Sequence, residues 1–220
     1  MARIPLEEAM REYGRGAEMI SSGRRDIYLA RHGAIEPHPG GRRYIGQLDL
    51  PLSGEGIRQA EALRERLRDA PLSAIYCSDL RRSVKTAEII ADPHGITPRP
   101  RRDLREVSLG EWEGRLFDEV RRQAPGAYHE RGRDIVHFRP PGGESFSDCA
   151  ARVLPALYDI LRATTGTILI TGHACVNRVL LSRAMGRSLD ELFDIEQDYG
   201  CLNLIQVSEC SLNLLLLNEK

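Results

Sequence analysis

Three apolar segments of the chain are each followed closely by basic side chains that could bind or transfer a phosphoryl group. In chain order, they are 26–30 followed by Arg31 and His32, 72–77 followed by Arg82, and 167–171 followed by His173. Each segment has the length and composition of a buried strand. Because ligands of parallel α/β sheets bind beyond the carboxyl ends of the strands, we expect these side chains to lie at one site.

Displacement at a phosphomonoester needs positive charge for the dianion, a nucleophile in line with the leaving oxygen, and a proton for that oxygen. A guanidinium group matches phosphate oxygens bidentately. Neutral histidine can attack phosphorus, because an unperturbed pKa of about 6.5 leaves it largely unprotonated at neutral pH. The chain supplies a candidate for each part: Arg31 beside His32, Arg82 at the start of a predicted helix, His173 at a strand end, and Glu106 on the side of a predicted cap.

Taken singly, each candidate has a purely structural alternative. A histidine at a strand end is more often a hydrogen-bonded structural residue than a catalyst. Glu106 could form only a salt bridge, and Arg81 beside Arg82 suits a solvated surface position. The conjunction favours a catalytic site, because the candidates follow three separate strands in chain order.

Strands and helices alternate along the chain, which predicts an α/β fold. The predicted helices are one capped by Ser53, one capped by Ser78, one over about 145–163 that Pro155 should kink, one over about 175–186, and a short one opened by a capping box of Ser188 and Glu191. Two further strands are predicted near 202–207 and 212–217. The predicted architecture is a three-layer sandwich with a mostly parallel central sheet, helices on both faces and a small cap insertion.

The chain is predicted to divide into a leader and one domain. Residues 1–25 contain apolar side chains at helical spacing over 6–20, which predicts a leader helix that packs on the domain or binds a partner. Residues 26–220 form the predicted domain. Within it, 96–144 are rich in Arg, Pro, Gly and aromatic residues with weak periodicity, which predicts the cap insertion.

Composition narrows the class of protein. The chain has 220 residues, 41% of them hydrophobic and 29% charged, and a formal net charge of -1, which is typical of a globular protein with no global field for nucleic acid or membranes. Its five cysteines are odd in number and form no CxxC pair, so we expect a reducing cytoplasm and no zinc site. We find no signal-peptide pattern and no membrane-spanning apolar run.

A series of motifs resembles those of the histidine phosphatase superfamily, also called phosphoglycerate mutase-like. In chain order the matching segments are Tyr28-Leu29-Ala30-Arg31-His32-Gly33; Gly46, Asp49, Pro51-Leu52-Ser53, Gly56 and Gln59-Ala60; Cys77-Ser78-Asp79-Leu80-Arg81-Arg82; Leu104-Arg105-Glu106 with Gly110-Glu111-Trp112-Glu113-Gly114; Gly143-Glu144-Ser145; and Thr171-Gly172-His173. The matches run through most of the chain, from 26 to about 207, so the series is highly specific.

The resemblance implies a role for each candidate residue. His32 becomes phosphorylated, while Arg31, Arg82 and His173 hold the phosphoryl oxygens. Glu106 protonates the leaving alcohol and then takes a proton from the hydrolytic water. The resemblance implies no metal and no organic cofactor, because the arginines and His173 supply the positive charge.

Other positions bear on the substrate. Ala34, Ser83 and Ala174 depart from the residues that the family usually has, which affects substrate contacts more than the chemistry. Arg43, in the loop over the site, is a candidate substrate ligand, with a solvated loop position as the alternative. Arg178 is expected to brace the fold.

Two features indicate a subfamily. The Gly-Glu-Trp-Glu-Gly run over 110–114 is phosphatase-like rather than mutase-like, and Asp198-Tyr199-Gly200-Cys201 is similar to alpha-ribazole phosphatases of cobalamin synthesis. The expected partner is therefore a small phosphomonoester, with no nucleic acid and no membrane. A phosphoglycerate mutase and a non-catalytic phospho-ligand binding module stay as alternatives, and a homodimer stays open.

Overall fold

The computed structural model describes residues 24–37, 40–208 and 211–220. The strands are β1 (Arg25–Arg31), β2 (Leu72–Ser78), β3 (Arg99–Arg101), β4 (Thr167–Gly172), β5 (Leu202–Val207) and β6 (Leu212–Glu219). The helices are α1 (Gly54–Leu67), α2 (Arg81–Ala91), α3 (Phe117–Gln123), α4 (Pro125–Arg133), α5 (Phe146–Ala163) and α6 (Ala174–Met185), with short 3-10 helices at Asp92–His94, Arg102–Leu104, Gly110–Trp112 and Leu189–Asp194. The leader helix predicted for 6–20 lies outside the described residues, and Arg25, which was predicted in the leader, begins β1.

The six strands form one sheet in the order β3-β2-β4-β1-β5-β6. The pairs β3–β2, β2–β4 and β4–β1 are parallel, whereas β5 and β6 are antiparallel to their neighbours. The α/β class and the mostly parallel sheet are therefore confirmed. The three strands predicted to end at candidate catalytic side chains are adjacent, so their carboxyl ends share one edge.

None of the described helices is long and apolar enough to cross a membrane.

Alternate residues of the central strands face two separate apolar cores. Ile75 and Cys77 of β2 pack in the core that includes residues of α1 and α2, whereas Ala74 and Tyr76 pack in the core that includes residues of α5 and α6. This alternation follows from the two-residue period of a strand. Buried strands covered on both faces are typical of parallel sheets, and the predicted three-layer sandwich is confirmed.

Side-chain caps fix the starts of two helices. The Ser53 hydroxyl accepts a hydrogen bond from the Gly56 amide at 3.1 Å, as predicted for α1. At α5, Ser145 and Asp148 form a capping box, each side chain accepting from the other residue's backbone amide. Helix α5 continues through Pro155 over its full range, and the predicted kink stays a prediction.

The predicted Ser78 cap is wrong, whereas Ser188 is an N-cap as predicted but without its capping box. Helix α2 begins at Arg81 with Leu80 as its N-cap, because β2 extends to Ser78 and a turn follows, so the Ser78 hydroxyl accepts from the Leu80 amide instead. The segment after Ser188 is a 3-10 helix rather than a capping-box helix. There the Glu191 amide bonds the Ser188 carbonyl, and the Ser188 hydroxyl accepts from the Asp190 amide at 3.4 Å.

Part of the segment predicted as the cap insertion belongs to the sheet. Residues Arg99–Arg101 form the edge strand β3 beside β2, so the sheet includes part of the predicted 96–144 insertion. The remainder carries α3 and α4 and is anchored by Trp112, which is 1% exposed and lies against Tyr44 and Phe138. Tyr44 also stacks on Phe117 of α3 at 3.9 Å between ring centroids. These aromatic contacts hold the cap over the edge of the sheet where the central strands end.

Candidate active site

Strand pairing brings the two predicted histidines together. In the register of β1 and β4, Arg31 lies opposite Gly172, and the His32 amide donates to the Gly172 carbonyl at 3.1 Å. The rings of His32 and His173 consequently meet edge to face, with centroids 5.0 Å apart. Both residues are buried.

Both ring nitrogens of His32 have hydrogen-bond partners. Nδ1 lies 2.7 Å from the Gly33 carbonyl oxygen, which can only accept, so we assign the ring proton to Nδ1. Nε2 is then unprotonated, and its lone pair accepts from Nε of Arg82 at 3.1 Å. Burial holds the pKa of His32 well below its usual value, and the charges of Arg82 and Arg31 lower it further. His32 is therefore neutral at physiological pH, with Nε2 as its nucleophilic atom.

Arg82 is fixed in place by backbone carbonyls. It lies in the first turn of α2, is 1% exposed, and donates to the carbonyls of Leu48 at 2.8 Å and Gly46 at 2.7 Å. The loop carrying those carbonyls is held in turn by the carboxylate of Glu113, which accepts from the amides of Gly46, Gln47 and Leu48. Glu113 was not predicted as a site residue, although it lies in the Gly-Glu-Trp-Glu-Gly motif over 110–114.

Arg31 is half-buried and is held by the segment before β5. Its Nη1 donates to the Gln197 carbonyl at 2.5 Å, and its Cζ lies 3.7 Å from the centroid of the Tyr199 ring. The same ring lies 5.5 Å from the ring of His32. Neither Gln197 nor Tyr199 was predicted, and Tyr199 had a signal only through its place in the 198–201 motif.

His173 differs from His32 in its surroundings. It is fully buried as the N-cap of α6, yet neither of its ring nitrogens has a hydrogen-bond partner among the described residues. Burial lowers the pKa of His173 well below its usual value, followed in effect by the charge of Arg82. Buried polar groups are normally hydrogen-bonded, so both nitrogens remain available to a bound group.

Glu106 reaches the same place from the cap side. It is 7% exposed, and its carboxylate accepts from its neighbour's amide, Val107, at 2.9 Å and from the Cys175 amide at 3.2 Å. Its backbone carbonyl accepts from Gln47 Nε2 and from Arg152 Nη2, both at 3.0 Å. The carboxylate therefore lies at the first turn of α6, directly after His173.

The structure brings the five core candidates together and places the other predicted residues around them. Arg43 donates to the Gly114 carbonyl at 2.7 Å, and Arg178 donates to the Ile195 carbonyl at 2.8 Å, which braces α6 against the chain before β5. Both line a cavity of about 720 Å³ that also contacts Arg31 and Glu106. Arg81 is exposed.

The walls of this cavity combine aromatic rings with guanidinium groups. The residues that contribute them are Tyr44, Phe117, Phe146, Phe193 and Tyr199, with Arg31, Arg42, Arg43, Arg131 and Arg178. Such a site can bind an anion at its inner end and an organic group along its walls. Among the described residues, no group of three or more His, Cys, Asp or Glu side chains is placed to hold a metal ion.

Comparison with known proteins agrees with this geometry. The model of the histidine phosphatase superfamily (branch 1) matches residues 27–220, so the chain belongs to that superfamily and is an enzyme of the histidine phosphatase type. It is 28% identical over 200 residues to the adenosylcobalamin/alpha-ribazole phosphatase of Salmonella typhimurium, covering 88% of this chain and 96% of the relative. It is 34% identical over 174 residues to the glucosyl-3-phosphoglycerate phosphatase of Mycolicibacterium vanbaalenii, covering 76% of each.

Among solved structures, the alpha-ribazole phosphatase from Shigella flexneri superposes with a TM-score of 0.82 at 27% identity, covering 88% of this chain and 96% of that chain. The family resemblance seen in the motifs is therefore confirmed over nearly the whole described chain.

Proposed function

We propose that this protein hydrolyses a small phosphomonoester through a phosphohistidine on His32. The observation that carries the proposal is the state of His32: it is buried and neutral, its Nδ1 proton is bound by the Gly33 carbonyl, and its Nε2 lone pair faces Arg82. A histidine held in this way is a nucleophile rather than a surface base.

In the first step, Nε2 of His32 attacks phosphorus and the bond to the leaving oxygen breaks. The leaving oxygen takes its proton from the carboxyl group of Glu106. The imidazole ring becomes cationic, and the Gly33 carbonyl at 2.7 Å from Nδ1 stabilises that charge. In the second step, water attacks phosphorus and gives a proton to Glu106, the P–N bond breaks, and His32 returns to its neutral form with release of phosphate.

The phosphoryl oxygens are held by the basic groups around His32. Arg82 is fixed before substrate binds, so it provides positive charge at little cost of reorganisation. Arg31 adds a second guanidinium, and His173 has ring nitrogens without partners among the described residues. Two guanidinium groups and one imidazole match the charge and the three non-bridging oxygens of a phosphoryl group.

We propose alpha-ribazole 5'-phosphate as the first substrate to test, which would place the enzyme in cobalamin biosynthesis. Support comes from the near full-length match to an alpha-ribazole phosphatase and from the aromatic walls of the cavity, which suit a flat base and its ribose. We place the activity in the cytoplasm, where the free thiols of Cys77, Cys149, Cys175 and Cys201 would persist. Arg43 is the proposed substrate ligand outside the phosphoryl site.

The test is phosphate release from a panel of phosphomonoesters, with kcat/KM for each, together with rapid-quench mass spectrometry for an acid-labile phosphohistidine. We expect the label on His32, no turnover in His32→Ala, and slowed turnover with phosphate binding retained in Glu106→Gln. The matched control is His137→Ala, whose side chain is 71% exposed and lies outside the site.

The same panel of phosphomonoesters distinguishes the two alternative functions, a phosphoglycerate mutase and a phospho-ligand binding module. Isomerisation of 3-phosphoglycerate faster than phosphate release would show a mutase. Binding of orthovanadate or phosphate with no turnover of any ester would show a phospho-ligand binding module. Turnover that survives in His32→Ala would refute the phosphohistidine.

A further inference from the structure

Asn218, near the end of β6, has a left-handed backbone conformation that residues other than glycine rarely adopt. Its φ is 52°, the one positive φ of a non-glycine residue in the described part of the chain. Residues held in the left-handed region are strained, and the surrounding contacts must hold them there. The contacts of Asn218 all lead towards the candidate active site.

Three hydrogen bonds hold Asn218: one to Asn203 of β5 and two to Asp198 in the loop of residues 196–201, which we call the Arg31 loop. The Asn218 amide donates to the side-chain oxygen of Asn203 at 2.9 Å. Its side-chain oxygen accepts from the Asp198 amide at 2.7 Å, and its side-chain nitrogen donates to the Asp198 carboxylate at 3.3 Å. In this left-handed conformation, one residue bonds both the sheet and the loop.

The far end of the Arg31 loop is bonded to the backbone of the nucleophile. The Gly200 amide donates to the His32 carbonyl at 3.2 Å, and the Arg31 amide donates to the Cys201 carbonyl at 3.0 Å. Gly200 has a φ of 68°, and a Cβ there would lie 2.8 Å from Cβ of Gln59, so this turn requires glycine. The loop is thus fixed at both ends.

Between these anchors, the Arg31 loop contacts the Arg31 guanidinium on two sides. The Gln197 carbonyl accepts from Nη1, and the Tyr199 ring lies against Cζ at 3.7 Å. Nε of Arg31 has no partner among the described residues. The direction of the remaining N–H groups of Arg31 is therefore set by the loop, through one carbonyl and one aromatic face.

We infer that Tyr199 is a positioning residue that acts through Arg31 on the phosphoryl group, and that Asn218 is a second positioning residue that acts through Asp198 on Tyr199. This inference rests on the proposed function. It assigns Tyr199 to the phosphoryl end of the site, although the ring is 36% exposed and lines the cavity where the leaving group would lie. Its effect is consequently the same for every ester.

The first experiment is a double-mutant cycle read by calorimetric binding of inorganic phosphate and by kcat/KM. Tyr199→Leu removes the π face and should weaken phosphate binding roughly 3- to 30-fold, with an equal loss of kcat/KM on phenyl phosphate and on glycerol 3-phosphate. Tyr199→Phe keeps the face and should match the wild type. In an Arg31→Ala background, Tyr199→Leu should cost nothing further.

Two results would overturn the role of Tyr199. One is a full additional loss from Tyr199→Leu in the Arg31→Ala background, since the ring would then act without Arg31. The other is a loss for phenyl phosphate alone, which would make Tyr199 a wall for the leaving group. Phosphate binding is measured without turnover. If the protein hydrolyses no ester, the proposed function is refuted, but the phosphate affinities of the variants can still be compared.

The second experiment separates the bonds of Asn218 from its backbone strain. Asn218→Gly keeps the left-handed conformation without strain but removes both side-chain bonds to Asp198, so phosphate affinity should fall about 3-fold with little change in Tm. Asn218→Ala should lose the same affinity and also lower Tm. The control in the same strand is Leu215→Asn, whose side chain is 54% exposed. Unchanged phosphate affinity in Asn218→Gly would remove Asn218 from the proposal.

Discussion

Arg152 of α5 links the proton donor to the rest of the fold, and its replacement is the most informative single change. It donates to both carboxylate oxygens of Glu144, at 2.8 and 2.9 Å, and to the carbonyls of Asp103 at 2.9 Å and Glu106 at 3.0 Å. Glu144 in turn accepts from the Ser108 amide at 2.9 Å. One guanidinium therefore holds both sides of the segment that carries Glu106.

Arg152→Met removes these four hydrogen bonds and keeps most of the side-chain volume. Breaking a fully buried pair costs about 3–5 kcal/mol, because the remaining charge stays buried without a partner. The side chains of Arg152 and Glu144 are 21% and 25% exposed, so solvent partly screens the charge left on Glu144. We expect the free energy of unfolding to fall by about 2 kcal/mol and Tm by roughly 4–8 °C.

The effect on catalysis follows from the position of Glu106. A displacement of about 1 Å in a catalytic group can cost on the order of 10²-fold in rate. Gln47 still bonds the Glu106 carbonyl in the variant, at 3.0 Å, so the displacement is restrained on one side. We expect kcat to fall roughly 10-fold. KM and phosphate affinity should not change, because Arg31, Arg82 and His173 are held by other contacts.

The assay measures thermal unfolding, kcat, KM and phosphate binding for Arg152→Met and for a matched control, Arg139→Met. Arg139 also pairs bidentately with a carboxylate of α5, Asp148, at 2.5 and 2.7 Å. Its side chain is 65% exposed and contacts no residue of the candidate site, so exchange with water should replace the pair. The control should keep its kcat and nearly all of its Tm.

Wild-type kcat in Arg152→Met with a lowered Tm would refute the reasoning, because the pair would then stabilise the fold alone. A raised KM with unchanged kcat would refute it in another way, by assigning Arg152 to substrate binding. Equal effects in the two variants would show that bidentate pairing on α5, rather than contact with Glu106, determines the outcome.

Three further predictions concern histidines and glycines. Because the pKa of His32 is lowered, its ring should remain neutral well below pH 6.5 in an NMR titration, and protonation near that value would contradict the nucleophile assignment. The pKa values of His32 and His173 are both lowered in the folded protein, so the unfolded chain binds more protons than the folded one as pH falls below about 6.5. The free energy of unfolding should therefore drop as pH falls below that value. Replacing both histidines by Asn should flatten this pH dependence. Gly33→Ala would place Cβ 2.2 Å from the Gly56 carbonyl oxygen and should lower both Tm and kcat. In the control Gly126→Ala, the new Cβ meets nothing within 4 Å, so both quantities should stay unchanged. Wild-type Tm and kcat in Gly33→Ala would show that the backbone around Gly33 can relax.

The sequence predicted the elements that have strong local signals. Ser53 caps α1 as predicted, and the segments predicted as buried strands lie in the middle of the sheet. Arg31, His32, Arg82 and His173 were predicted to meet because strand ends in a parallel sheet share an edge, and the structure places them there. Glu106 was expected from the cap side, and its carboxylate lies at the Cys175 amide. These inferences needed only local pattern and one topological rule.

The missed features depend on contacts between residues far apart in the chain. Strand β3 is Arg-Pro-Arg, which has no apolar pattern, and it is a strand only because it lies at the edge of the sheet beside β2. Glu113, Tyr199 and the Arg152–Glu144 pair act through hydrogen bonds or ring contacts whose partners lie in other elements. The hydrophobic periodicity of a segment does not indicate which distant residues it will contact.

In the candidate site, neither Arg31 nor Arg82 forms a salt bridge with a carboxylate among the described residues, and Arg82 shows how a guanidinium can be fixed in another way. Arg82 has its Nη1 and Nη2 on backbone carbonyls and its Nε on a neutral imidazole. Carbonyl dipoles fix the guanidinium without an ion pair, whereas an ion pair would have to be broken before substrate could bind. The charge of Arg82 also helps keep His32 neutral, because burial and the two nearby guanidinium groups all disfavour its protonation. The same positive charge therefore attracts the dianion and preserves the lone pair that would attack it.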